Sequence, residues 1–151
     1  MDQNSFTSRI SIIHMALFSG QLILLAVMLY LKASYTVSLD IQDDIYIFLV
    51  LGLAVASYML GNYLYKARIS SIIPSESFDV KLNSFRSAAI LRMALIEAAT
   101  LFAIIAYFFN GNFLFILVAF IMLIYFFMIK PSRPIIQQEA KLNASESKQL
   151  G

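Results

Sequence analysis

Residues 87–109 read SAAILRMALIEAATLFAIIAYFF, an apolar run broken by only two charges, Arg92 and Glu97. As an α-helix rising about 1.5 Å per residue it would be roughly 35 Å long, enough to cross the roughly 30 Å hydrocarbon core of a bilayer. In lipid every backbone N–H and C=O must find its partner within the segment. Such a run therefore has to be helical, and the short alternating segments of a membrane barrel are absent. Three further apolar runs occupy 10–31, 45–65 and 113–129, and the only prolines, Pro74, Pro131 and Pro134, fall outside all four, as uninterrupted spans require. Asn110-Gly111-Asn112 is a tight-turn signal that makes the third and fourth runs an antiparallel hairpin. The fold class expected is all-α: an integral-membrane four-helix bundle made of two helical hairpins.

Composition agrees. The chain has 151 residues, 60% of them hydrophobic and 13% charged, with mean hydropathy +0.79. Soluble domains carry roughly a quarter charged residues, so that class is excluded. Four spans fill residues 1–130 and leave 131–151 as a polar cytoplasmic tail. Ile135, Ile136 and Leu142 are too few there for a core, and a short interfacial helix or disorder is expected.

The absence of cysteine removes disulfide and thiol chemistry, and one histidine argues against a protein-only metal or haem site. The net charge of +2 is too small to point to nucleic acid. No phosphate loop, nucleophile elbow, His-Glu zinc motif or paired acidic site occurs. Neither a cofactor nor an enzymatic activity is expected.

The first run is too long for a signal-peptide core, follows a single basic residue, Arg9, and ends without a small-x-small cleavage pattern, so it reads as a retained span. Lys66, Arg68, Lys81 and Arg86 lie between the second and third runs, and Lys130 and Arg133 follow the fourth, whereas the connection 32–44 sets Lys32 against Asp40, Asp43 and Asp44. The positive-inside rule then puts both termini and the 66–86 loop in the cytoplasm of a cell with this protein in its inner membrane. Tyr30, Tyr35, Tyr46 and Tyr107 cluster toward the opposite face, where tyrosine rings favour headgroup depth. An offset of 78 aligns Ile12, Met15, Ala16 and Leu17 with identical residues at 90, 93, 94 and 95 and sets His14 against Arg92, a pattern compatible with a parallel duplication.

Glu97 falls near mid-span, where a charge costs at least about 2.5 to 3.5 kcal/mol. It is either an ion- or proton-exchanging carboxylate or a neutral acid that hydrogen-bonds a neighbouring helix. Arg92 points some 140° away from it around the helix, so the two cannot pair on their own helix. Arg92 is expected either to answer a carboxylate of another helix or subunit or to snorkel to cytoplasmic phosphates. His14 forms a polar stripe with Thr7, Ser11 and Gln21 that belongs against protein or water, as a proton relay toward Glu97 or as an interhelical hydrogen-bond partner. Ala99, Ala103 and Ala106, with Ala88, make a small-residue face that lets helices approach closely, and Gly52 with Ala56 and Ser57 with Gly61 do the same on the second run. The fourth run, rich in phenylalanine, is expected to be the most lipid-exposed.

The stretch Met93-Ala94-Leu95-Ile96-Glu97-Ala98-Ala99-Thr100-Leu101-Phe102-Ala103-Ile104-Ile105 resembles the carboxylate helix of the rotary ATP synthase proteolipid, subunit c. In that family a mid-membrane Glu is followed by Ala, a Thr or Pro, and then aliphatic and small residues. The resemblance implies Glu97 as an ion carrier in an oligomeric ring. As a whole, the chain resembles short four-helix inner-membrane proteins of Bacteroidota, through His14-Met15-Ala16-Leu17, Arg92-Met93-Ala94-Leu95-Ile96-Glu97, the Asn110-Gly111-Asn112 turn and Lys130-Pro131. That likeness implies a four-span layout and no particular activity. The expected role is a non-enzymatic subunit that forms a homo-oligomer in the lipid bilayer or docks on other membrane-protein subunits. The alternative is a proton or cation translocator working through Glu97.

Overall fold

A computed structural model describes residues 4–32 and 45–150. Tyr35, Asp40, Asp43 and Asp44 lie outside the described residues. Within them the chain forms six helices: α1 (Asn4–Lys32), α2 (Ile45–Ser70), α3 (Phe78–Asn110), α4 (Phe113–Met128), α5 (Arg133–Glu139) and α6 (Ala144–Gln149). All four apolar runs are helical. The first three helices are each long and apolar enough to cross a membrane, and α4 qualifies only when counted together with α5, from which it is bent by 75°. At about 1.5 Å per residue, the 16 residues of α4 give roughly 24 Å, short of a 30 Å core.

The helices outrun the apolar runs at their polar ends. Helix α3 spans 33 residues, roughly 50 Å, and takes in Lys81 and Arg86, so only 71–77 remains as the connection from α2. The turn between α3 and α4 forms as the sequence implies. Gly111 adopts the left-handed conformation (φ 80°, ψ 3°) and its N–H closes on the Tyr107 carbonyl at 2.7 Å, the usual glycine stop of a helix. One residue on, the Asn112 side chain accepts from the Leu114 N–H at 3.0 Å and caps α4.

Helix α3 is the centre of the bundle, packed along α2, α4 and α1 in decreasing extent. Helices α1 and α2 make at most marginal contact, so the first hairpin is not a packed pair and each of its helices leans on α3 instead. Ala88, Ala99, Ala103 and Ala106 are all buried within the chain. The alanine face thus lets neighbouring helices approach α3 inside the bundle and is not free for a partner. Ser57 and Gly61 are buried as well, with a Cβ at Gly61 falling 3.8 Å from Arg92 and Ile96. Gly52 and Ala56 are exposed, and a Cβ at Gly52 would meet nothing within 4 Å beyond its own helix backbone.

Three expectations change. The most exposed long helix is α1, with 11% of its apolar window buried, whereas α4 buries Phe115, Ala119, Met122, Leu123 and Phe126. The small residues of α3 admit these large side chains. Tyr107 is buried within the bundle, while Tyr30 and Tyr46 are exposed. Finally, the C-terminal segment folds back as α5 and α6, and Ile136, Ala140 and Leu150 join the core formed with Phe85, Met93 and Phe126. Few apolar residues suffice because they complete an existing core instead of building one.

Candidate functional site

Polar side chains from α1, α2 and α3 meet at the end of α4 nearest the C-terminal segment. A helix leaves its last carbonyls without intrahelical partners. Here the Phe126 carbonyl accepts a hydrogen bond from His14 Nε2 at 2.8 Å, and the imidazole stacks on the Phe126 ring with centroids 4.8 Å apart. Ser11, one turn earlier on α1, donates to the Pro131 carbonyl at 3.4 Å. His14 and Gln21 are fully buried, so the polar stripe of α1 does face protein. Gln21 donates to Leu17 on its own helix at 3.3 Å. His14 is an interhelical cap, and the structure gives it no hydrogen bond to Glu97.

Arg92 reaches the adjacent residue of α4. Its Nη2 donates to the Tyr125 hydroxyl at 2.6 Å, and that hydroxyl donates in turn to Asn62 Oδ1 on α2 at 2.8 Å. The guanidinium lies 4.8 Å from the centroid of the Tyr65 ring and 5.6 Å from that of Tyr125, both within range of a cation–π attraction. Tyr65 donates through its hydroxyl to the Glu139 carboxylate at the end of α5. Arg92 therefore does not snorkel freely. Tyrosines of α2 and α4 hold it over a cavity of about 160 Å³ that Glu139 also lines.

The C-terminal segment is fastened below this cavity. Lys81, almost wholly buried, pairs with Glu146 at 3.0 Å. Lys141 donates to the carbonyls of Ser70 and Ile72 at 3.1 and 2.6 Å, which closes the end of α2. Asn143 and Glu146 form a reciprocal capping box at the start of α6. The Asn143 N–H and the Lys81 ammonium together hold the Glu146 carboxyl below its ordinary value, because both favour the charged form.

Glu97 has the opposite surroundings. It makes no hydrogen bond or ion pair with any described residue, and it is half-exposed between exposed Ala94 and Ala98 on the outward side of α3. The three candidate ionisable residues are thus divided: His14 and Arg92 meet consecutive residues of α4, and Glu97 stands apart. His14 and Arg92 reach neighbouring residues of α4 from a peripheral helix, α1, and a central one, α3.

Sequence reading missed Tyr65, Asn62, Tyr125 and Glu139. Tyr125 carried a signal, as the one hydrogen-bonding side chain in 113–129. Glu139 carried none, since its relevance depends on how the C-terminal segment folds back.

The described residues define a class: an all-α bundle of three or four helices with membrane-spanning length and apolarity, closed at one end by a folded C-terminal segment. Comparison with protein-family models, with curated proteins and with solved structures finds nothing that matches the chain.

Proposed function

We propose that the chain is a non-enzymatic subunit of the cytoplasmic membrane that self-associates or docks on a larger membrane complex through the outward face of α3. The observation that carries this reading is Glu97, a carboxyl near mid-span with no hydrogen-bond or ion-pair partner among the described residues. Facing lipid there is costly even for a neutral acid, because its O–H and C=O groups stay unsatisfied. A helix from another chain, bringing a hydrogen-bond partner to the space above Ala94 and Ala98, removes that cost. Both termini are cytoplasmic in this arrangement, since Lys66, Arg68, Arg86, Lys130 and Arg133 gather at the ends of α2, α3 and α4 that face the folded tail.

The test is chemical crosslinking in membranes and mass measurement after gentle detergent extraction, on wild type and Ala98→Leu. Wild type should be recovered as an oligomer or with a partner chain, and Ala98→Leu as a monomer with an unchanged fold. A wild type that is monomeric in membranes and retains no partner defeats the reading.

The same exposure of Glu97 favours a second reading, a proton or cation translocator, in line with the likeness to the proteolipid carboxylate helix. It separates cleanly. Glu97→Gln retains the hydrogen-bonding capacity of a neutral acid but cannot exchange a proton. Intact assembly with loss of a proton- or sodium-dependent phenotype, together with pH-dependent carbodiimide labelling of wild type, selects the translocator.

A further inference from the structure

The cavity below Arg92 contains one positive and one negative group that do not neutralise each other. Arg92 has five N–H donors, and the one hydrogen bond it makes to described residues is to Tyr125; its Nε is fully enclosed and has no partner. Glu139 lines the same cavity, with one carboxylate oxygen taken by Tyr65. No ion pair joins them, the Lys81–Glu146 bridge being the only one among the described residues. Tyr65 keeps them apart, because the guanidinium sits over its ring face while the carboxylate is bound at its hydroxyl.

Most of the remaining wall is apolar, with Met93, Met128, Ile129 and Ile135. Nη1 of the same guanidinium makes no hydrogen bond to a described residue and is not enclosed, so it is the donor open to a ligand. A lone dianion would be repelled by Glu139, and a lone cation by Arg92. A molecule that carries both signs satisfies both groups. We propose that this cavity is a binding site for a small zwitterion, with an anionic oxygen group on Arg92 and an ammonium group on Glu139, the chemistry of a phosphoethanolamine head.

Size and depth fit that class. A volume of about 160 Å³ holds several waters or one small headgroup. If the hydrocarbon core begins below the Asn110 end of α3, a depth of about 30 Å ends within a turn or two of Arg92, which is 18 residues (110 − 92) away, roughly 27 Å. Exposed Met128 and Ile135 at the rim offer apolar contact to the acyl part of a lipid. The same chemistry could also arrive on soluble phosphoethanolamine.

Native mass spectrometry of the full chain in detergent, supplied with phosphatidylethanolamine or phosphatidylglycerol, tests the site. Wild type should retain phosphatidylethanolamine several-fold better. Glu139→Gln keeps an acceptor for Tyr65 but loses the ammonium partner, and should abolish or reverse that preference. Arg92→Gln should lower retention of both lipids about tenfold or more, the size of one lost charge-assisted hydrogen bond. Displacement of the lipid by soluble phosphoethanolamine assigns a soluble zwitterion, and persistence of the lipid against it assigns the headgroup. Equal retention of the two lipids by wild type, or an unchanged preference in Glu139→Gln, overturns the proposal. Should Arg92→Gln fail to fold, the half-exposed Glu139→Gln decides alone.

Discussion

Two charged residues five positions apart on α3 have opposite fates. Arg92 faces α2 and α4, bonded to Tyr125 and stacked on two tyrosine rings. Glu97, on the other side of the same helix, makes no hydrogen bond or ion pair with any described residue. The difference lies in what each face meets. Around Arg92 the helix surface is small and buried, with Ala88, Ala89 and Gly61 allowing α2 close enough for its aromatic side chains to reach the cation. Around Glu97 the neighbours Ala94 and Ala98 are equally small, yet exposed. One face is occupied by the chain's own helices, and the other retains the same potential for close approach without an occupant.

The most direct way to break this comparison is to enlarge an alanine on each face. Ala103 is fully buried, and Ala103→Leu should destabilise the monomer by about 1 to 3 kcal/mol through overpacking. Ala98→Leu should change monomer stability by no more than about 0.5 kcal/mol, as is usual for a surface site. Thermal unfolding in one detergent compares the two. Equal losses would show that the outward face is also packed within the chain.

The next effect is that of the helix cap. His14→Phe keeps a ring to stack on Phe126 but removes the donor to its carbonyl, and should cost roughly 1 to 3 kcal/mol, the penalty of a buried unsatisfied acceptor. The loss should appear as faster hydrogen exchange around Ile129 and Lys130. Unchanged exchange there would mean that the carbonyl finds another partner and that His14 is free for other chemistry.

How much of this was legible follows from which physical signal each feature leaves. Apolar runs carry their own length, so all four helices and the Gly111 turn could be read directly. The periodicity of Thr7, Ser11, His14 and Gln21 showed that one face of α1 meets protein. Periodicity gives a face, however, and not the identity of what covers it. The alanine stripe of α3 reads as a close-approach surface, but nothing in one helix distinguishes an approach by α2 from an approach by another copy. The folding back of the C-terminal segment was hidden for a related reason. Ile136, Ala140 and Leu150 are few, and their burial depends on a core that other helices supply. The cavity lined by Arg92 and Glu139 inherits that obscurity, since its two charges are 47 positions (139 − 92) apart in sequence.

A smaller effect concerns the latch of the tail. The Glu146 carboxyl is held below its ordinary value of 4.5 by the Asn143 N–H and by Lys81. A depressed folded value means that its stabilisation is complete above the ordinary value and is lost as pH falls through the lower folded one. Because the Glu146 side chain is 12% exposed and water screens the pair in part, the contribution should be about 1 kcal/mol. Limited proteolysis between 131 and 150 should therefore be constant from neutral pH down to about 5 and accelerate below 4.5, with Glu146→Gln accelerated at every pH and no longer pH-dependent. A wild-type profile flat through the acid range would remove Glu146 from the latch.

The smallest effect on the fold is the most informative for function. Glu97→Leu removes a carboxyl that has no partner among the described residues, so monomer stability should change by about 0.5 kcal/mol or less, or rise slightly as a partly exposed acid is replaced by an apolar side chain in lipid. Arg92 shows the contrast, because its removal breaks contacts already made. If an external helix supplies a hydrogen bond to Glu97, the energy missing from the monomer must appear in association. Glu97→Leu should then lower oligomer or partner recovery while Glu97→Gln, which still hydrogen-bonds, restores it. Measuring unfolding and assembly on the same preparations separates the two. A Leu variant that loses stability as a monomer would place a partner for Glu97 inside the chain, and the difference between the two faces of α3 would disappear.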